Sequence, residues 1–217
     1  MALSRLVSSI IKDVRVAMDE NASVGELVVP DSDTLDLDGV IDSKLEDGVR
    51  AVFMEASAEE LVPVTLDAAV VHSPLFVTWD LKDGVPPRGR VEIPCGDGGW
   101  GVMRVLSFMM SDWDHAVRVF TSPGSQSYLM QRSGVVGVCG SPSRPVVASV
   151  AVGGSWFLEF YSCASMEASV SSLDYVKEPC RYVPQGQSSP VVDIPEPLYR
   201  KVVYKTAELA RSVFSVG

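Results

Sequence analysis

The closing stretch of the chain, from Asp193 to Phe214, is the feature that most limits what the rest can be. Pro197 suits the first position of a helix, where its missing N–H is not needed and its fixed φ already fits. Asp193 and Glu196 set negative charge near the positive end of the macrodipole, and Arg211 lies near the other end. Leu198, Val202, Leu209 and Val213 make one apolar stripe, and Tyr199, Val203, Ala207, Ala210 and Phe214 make a second. A helix apolar on two faces is wedged between other elements, so it needs partners from earlier in the chain.

The N-terminal third offers them. Leu3, Leu6, Val7, Ile10, Ile11, Val14, Ala17 and Met18 follow the helical rhythm and predict an amphipathic helix over 3–18. Residues 21–33 read as a small, acidic linker, and a second helix is expected over 35–56. Gly39 and Gly48 weaken that helix by about 1 kcal/mol each relative to Ala. Gly48 at mid-helix suggests the close approach of another helix, or simple tolerance. Ser57-Ala58-Glu59-Glu60 has the form of a capping box and predicts a short third helix to Val62.

Residues 63–88 read as connecting loops with one short strand at 75–79. From Arg90 the pattern changes to strands at 90–94 and 101–110, with a hairpin return at 115–120 after a turn at Ser111-Asp112-Trp113-Asp114. Residues 122–132 read as loop with one helical turn around Tyr128. The strands at 144–152 and 156–161 flank Gly153-Gly154, a turn that requires positive φ. One more strand is expected at 169–176. The expected fold class is therefore α+β: a helical bundle of 1–75 plus 194–217, with an antiparallel β block inserted at 76–193.

Composition narrows the function. Hydrophobic residues at 47% and charged residues at 21% fit a folded chain. A formal net charge of −10, without any basic run, argues against gripping a nucleic acid backbone. Cys95, Cys139, Cys163 and Cys180 are scattered without paired ligand spacing, so no metal site and no cofactor is expected, and free thiols in a reducing cytosol fit best. The first residues are too broken by charge for a signal peptide or a membrane span.

Chemistry-bearing motifs are scarce. Asp112, Asp114 and His115 sit together, but neighbouring strand positions point to opposite faces, so a plain turn is expected. His72 is alone. Cys95-Gly96-Asp97-Gly98-Gly99 lacks the Lys and following helix of a phosphate loop. Glu159 is expected to face outward with the polar side of its strand. Trp156, Phe157, Phe160 and Tyr161 have no cationic neighbours for base stacking and are expected in core and sheet contacts. No catalytic residue is expected; a hydrolase would have to use Asp112, Asp114 and His115.

The chain resembles the head-to-tail adaptor (neck or connector ring) proteins of tailed bacteriophages, as in short-tailed and crAss-like phages. The likeness lies in the opening helix, the acidic-led segment from Thr34 to Leu45, and Glu55-Ala56-Ser57-Ala58-Glu59-Glu60-Leu61. It continues in Ile93-Pro94, Arg104-Val105-Leu106-Ser107-Phe108, Met110-Ser111-Asp112-Trp113 and Arg144-Pro145-Val146-Val147. Leu158-Glu159-Phe160-Tyr161-Ser162-Cys163 and the closing Pro195–Tyr204 segment complete it. The resemblance implies a structural virion protein of the neck, assembled in the host cytoplasm, that touches no membrane. Copies would form a ring, commonly twelvefold, between the portal protein and a further ring or tail protein, with DNA passing through unbound.

An acidic ring fits that expectation, because its lumen repels a polyanion. A closing ring also asks each copy for two different patches. Phe108, Met109, Met110, Trp113, Tyr199 and Phe214 are the expected partner-binding residues. Val135, Val136 and Val138 could add to such patches, and burial in a single-chain core is the competing expectation. The alternative function is a monomeric β-rich module that binds a carbohydrate or protein.

Overall fold

The structure, a computed structural model, describes residues 2–20, 37–67, 75–82, 86–94, 101–133, 135 and 137–214. In chain order its elements are β1 (Ala2–Leu6), α1 (Val7–Glu20), α2 (Leu37–Glu55), β2 (Val64–Asp67), β3 (Val77–Asp80), β4 (Arg88–Ile93) and β5 (Val102–Met110). There follow α3 (Gln126–Gln131), β6 (Val147–Val152), β7 (Ser155–Phe160), β8 (Val170–Lys177), β9 (Val191–Pro195), a 3-10 turn at Glu196–Leu198 and α4 (Tyr199–Phe214). The chain divides into two compact units, residues 1–62 with 178–217 and residues 63–177. The expected linker at 21–33, His72 and the Cys95–Gly99 loop lie outside the described residues.

This is not a helical bundle with an inserted β block. Sheet runs through the whole chain: the described strands form three sheets, and one of them, β1 with β9, belongs to the helical unit itself. Residues 3–6 are the clearest departure. Leu3 and Leu6 fit a helical spacing, yet β1 runs antiparallel to β9 from Ala2↔Pro195 to Leu6↔Val191. Each strand supplies the other's backbone donors and acceptors, which a helix over residues 3–6 would leave without partners beyond Val191, itself bridged to Tyr182. Ser4 Oγ donates to Asp193 at 2.6 Å, and Arg5 pairs with Glu196 at 2.5 Å.

Within this terminal unit α4 is the central helix. It buries Val202, Val203, Thr206, Ala207 and Ala210, with Leu198 of the preceding 3-10 turn, while Leu209 is half-buried and Val213 exposed. Its partners are Ile10, Val14 and Ala17 of α1 and Ile41, Leu45, Val49 and Val52 of α2, all buried. Gly48 is the close-approach point: a Cβ there would lie 2.3 Å from Thr206 Oγ1 and 3.2 Å from Thr206 Cα. Arg211 does not serve its own helix end; it donates to the Ala17 and Met18 carbonyls, capping α1. Arg181 fastens the approach to β9 onto α2 through Asp42 at 2.7 Å and Glu46 at 2.9 Å.

The third helix expected at 57–62 stops after one turn. Its capping contact forms, with Ser57 N–H donating to Glu60 Oε2 at 3.1 Å, but Pro63 cannot continue a helix and disfavours helical geometry before it.

The second unit holds two antiparallel sheets, β2-β8-β5 and β3-β4-β7-β6. Val105, Phe108, Met110, Leu173 and Tyr175 of the first share one core with Val91, Ile93, Val147, Leu158 and Phe160 of the second. Phe160 stacks edge-on with Trp113 at 5.3 Å and with Trp79 at 6.1 Å, geometry that aromatic quadrupoles favour. Gly89 leaves the space that the Phe160 ring fills. The Gly153-Gly154 hairpin forms with φ of +61° and +87°. The expected return strand at 115–120 does not: Val117 makes a single bridge to Phe108, and β5 pairs with β8 instead. β2 lies in the stretch expected to be loop.

The Gly48–Thr206 contact makes a direct prediction. Gly48→Ala will lower the unfolding free energy by about 1–3 kcal/mol through overpacking. Thr206→Ala in the same chain will remove most of that loss, because the new methyl then takes the vacated space. Urea melts of the two single variants and the double variant check this; additive losses would show that the helices do not meet there.

Candidate functional site

The polar residues that come together lie on the face of the four-stranded sheet opposite the shared core. Register sets them side by side: Thr78 faces Arg90, Asp80 faces Arg88, and Arg90 faces Glu159. Alternation along β7 turns Glu159 and Phe157 away from the core that receives Leu158 and Phe160. The carboxylate is nonetheless only 4% exposed. It is covered by α3, whose N-cap Ser125 accepts from the Tyr128 amide, and whose Tyr128 ring packs 5.4 Å from that of Tyr161, just past β7.

Glu159 is fully engaged. Arg90 Nε donates to Oε1 at 2.8 Å, the Tyr128 hydroxyl donates to Oε2 at 3.0 Å, and Arg88 Nη1 stands 3.7 Å from Oε2. Arg88 also donates to Asp80 at 2.7 Å, and the Arg90 guanidinium lies 4.2 Å above the Phe157 ring. Burial, reinforced by the Glu159 charge and hydrogen bond, pushes the Tyr128 phenol well above its ordinary pKa, so it stays a donor. A buried acid paired this way is held in place, since a charge in such a site must be satisfied to be tolerated.

Beside the ladder Lys82, Arg88, Arg132, Asp80, Pro86 and Tyr161 line a recess of about 10 Å³, room for one water or the tip of a side chain. That volume admits no substrate, but three cationic side chains around it suit a carboxylate.

The residues expected to bind partners are scattered through the fold. Phe108, Met110 and Trp113 are buried in the shared core of the second unit, so in this fold their side chains are not offered at a surface. Met109 is half-buried. Tyr199 is half-buried in the terminal unit, its hydroxyl donating to Asp13 and its ring beneath Arg5. Phe214 ends α4. Val135 is exposed, Val138 half-buried, and Val136 lies outside the described residues.

Asp112 accepts from the Ala164 amide at 2.7 Å and anchors a turn. Among the described residues no group of three His, Cys, Asp or Glu side chains could hold a metal ion. Cys139, Cys163 and Cys180 are free thiols. Burial, with the Asp112 charge beside it, pushes the Cys163 thiol far up, the opposite of what a nucleophile requires.

Glu159 is the residue that reasoning from the sequence misplaced: it leaves the core face as expected, then is covered by α3. The signal available was Tyr128 in one short turn, an aromatic ring that needed a surface to lie on, although its neighbours Leu129 and Met130 stay exposed. No family model matches the chain, and no curated protein matches it. No helix among the described residues is long and apolar enough to cross a membrane.

Glu159→Ala will cost about 2–3 kcal/mol of stability, the low end for a broken buried pair because Arg88 and Arg90 are 30% and 32% exposed. Glu159→Gln, which keeps an acceptor for Tyr128, will cost less. A loss under about 0.5 kcal/mol in urea melts would match an ordinary surface site and contradict this geometry. In iodoacetamide labelling of the folded chain, exposed Cys180 will react before Cys163; the reverse order would contradict the raised thiol.

Proposed function

We propose that this chain is a structural, non-enzymatic virion protein: a head-to-tail adaptor in the neck of a tailed bacteriophage, set between the portal and a tail component. The observation that carries the reading is how its reactive side chains are used. Glu159, Arg90, Tyr128 and Asp112 are spent on one another or on backbone, while large apolar side chains such as Phe76 and Val119 stand 80% and 79% exposed. Exposed apolar side chains of this size are available for another molecule to cover. Such a molecule offers contacts, and a neck component needs little else.

Two further features support it. The strongly acidic chain would line a passage along which DNA slides, because a polyanion finds no counter-charge there. Both ends of the chain are anchored in one unit, as β1 pairs with β9 and α1 packs on α4, so the β unit is carried between two fixed points.

Negative-stain imaging of the purified chain, alone and mixed with a portal protein from the same genome, tests this. Ring-shaped density on one end of the portal is expected. A chain that stays monomeric and ignores the portal would sink the proposal and favour a monomeric binding module.

A further inference from the structure

The terminal unit carries a cleft of about 590 Å³ between β1 and the loop that leads into β9, a volume within the range of clefts that hold small ligands. Strand register builds it. Ser4 and Leu6 lie on one face of β1, opposite Asp193 and Val191 of β9. Tyr182 bridges Val191 from the other side: its N–H donates to the Val191 carbonyl at 3.1 Å and the reverse bond is 2.9 Å. The loop between them is closed at its tip by the Gln187 amide, which donates to the Pro184 carbonyl at 3.0 Å around Gly186 at φ +85°. The Pro190 carbonyl accepts from Val7 at 3.1 Å, which ties the loop to the start of α1. Walls held this firmly need little ordering when a ligand arrives.

The polar groups of the cleft are arranged by one carboxylate. Ser4 Oγ donates to Asp193 Oδ1 at 2.6 Å, and the Tyr182 hydroxyl donates to the same oxygen at 2.9 Å. The two hydroxyls are also 3.0 Å apart, but each has a single proton, and the bonds to the carboxylate are shorter and charge-assisted. Both hydroxyls therefore meet the cleft as acceptors. Gln187, Ser188 and Ser189 also line it, exposed and without a side-chain hydrogen bond among the described residues, and their amide and hydroxyl groups both donate and accept. Leu6 and Pro184 add apolar surface. None of the lining side chains carries a formal charge. Arg5, on the opposite face of β1, pairs with Glu196 and lies over Tyr199, and Arg181 pairs with Asp42 and Glu46. Asp193 is thus left without a cation among the described residues.

We propose that this cleft binds a neutral saccharide of mono- or disaccharide size. Sugar hydroxyls donate to Ser4 Oγ and the Tyr182 oxygen and exchange hydrogen bonds with Gln187, Ser188 and Ser189, while C–H faces of the ring rest on Leu6 and Pro184. A sugar brings donors, acceptors and apolar C–H groups together without charge, which is what the lining offers in return. A phosphate or carboxylate is opposed by Asp193 and by two oxygens that present no proton. An ammonium group is drawn toward Asp193 but accepts nothing from the Gln187 amide, and one solvent-exposed carboxylate holds it only weakly. A peptide backbone is bound along a strand edge, whereas these groups are side chains gathered in a concave loop. Asp193 is a positioning residue: it fixes where both hydroxyl protons point. The proposal does not rest on the neck reading, because the cleft belongs to one unit of one copy.

Saturation-transfer NMR on the full chain is the experiment. Maltose, cellobiose, lactose and N,N′-diacetylchitobiose are the neutral probes, with N-acetylneuraminic acid, putrescine and N-acetyl-triglycine amide as an acid, a cation and a peptide for comparison. At millimolar concentration a neutral sugar should receive saturation, and about 1 M salt should leave that signal in place, as it would not for a charged ligand. Gln187→Ala, which removes an exposed side chain bonded to nothing else, should weaken the sugar about threefold with the melting temperature unchanged. Asp193→Asn should weaken it about tenfold and, with the repelling charge gone, admit N-acetylneuraminic acid; a mere loosening of the strands would lose every probe. Saturation of none of the four sugars, saturation of putrescine or the peptide in their place, or a Gln187→Ala chain that binds sugar as before would overturn the proposal. An Asp193→Asn chain that binds sugar undiminished would do the same.

Discussion

The pairing of Ala2–Leu6 with Val191–Pro195 is the contact on which the rest of the molecule depends. Two strands alone are marginal in water, so this ladder cannot stand by itself. It is held because α1 leaves directly from one strand and α4 follows the other after a 3-10 turn, and the two helices pack together. Closing so long a loop costs entropy that grows only slowly with length, and the intervening residues bring a core of their own. That is why a whole β unit can sit between Val62 and Glu178 without loosening the ends.

Close approach is the second constraint. Gly48 lets α4 come near enough to α2 that Thr206 Oγ1 is buried without a hydrogen-bond partner among the described residues. A buried hydroxyl left so is unfavourable, yet the helix contact gains dispersion and buried apolar area along Leu45, Val49, Val52, Val202 and Ala210. In the other unit Gly89 does the same for the Phe160 ring. Small residues thus mark, in both units, the places where backbone or ring must meet backbone.

Much of this was legible in the sequence, and apart from the helix that Pro63 stops, the failures come from contacts distant in sequence. The apolar positions of α2, from Val40 to Phe53, follow helical spacing and are buried as that spacing requires. The Gly153-Gly154 hairpin announces itself because only positive φ closes it tightly. What could not be read is pairing across long separations. Leu3 and Leu6 satisfy a helical pattern over so few residues that only a partner nearly two hundred positions away decides the matter. The return strand at 115–120 fails likewise, because β5 finds β8 rather than its sequence neighbour. Glu159 alternates out of the core and is then buried by α3, a second layer that strand periodicity does not register.

The same limit explains why Phe108, Met110 and Trp113, three of the residues expected to bind partners, lie buried. Phe108, Met110 and Trp113 are large and apolar, and in a chain with a real core that property describes the core first. Exposure is decided by which strand faces which, and Phe76 at the end of an edge strand escapes cover where Phe108 in the middle of β5 does not. Charge is more readable than apolarity here, because burying an unpaired charge is too costly for a fold to hide it. The split between a strongly acidic terminal unit and a nearly neutral β unit can be counted from the residues once the boundaries are known. Such an asymmetry does nothing for the stability of an isolated chain, in which like charges crowded into one unit only repel. Within the terminal unit that repulsion is offset locally, where Arg181 meets Asp42 and Glu46 and Arg5 meets Glu196.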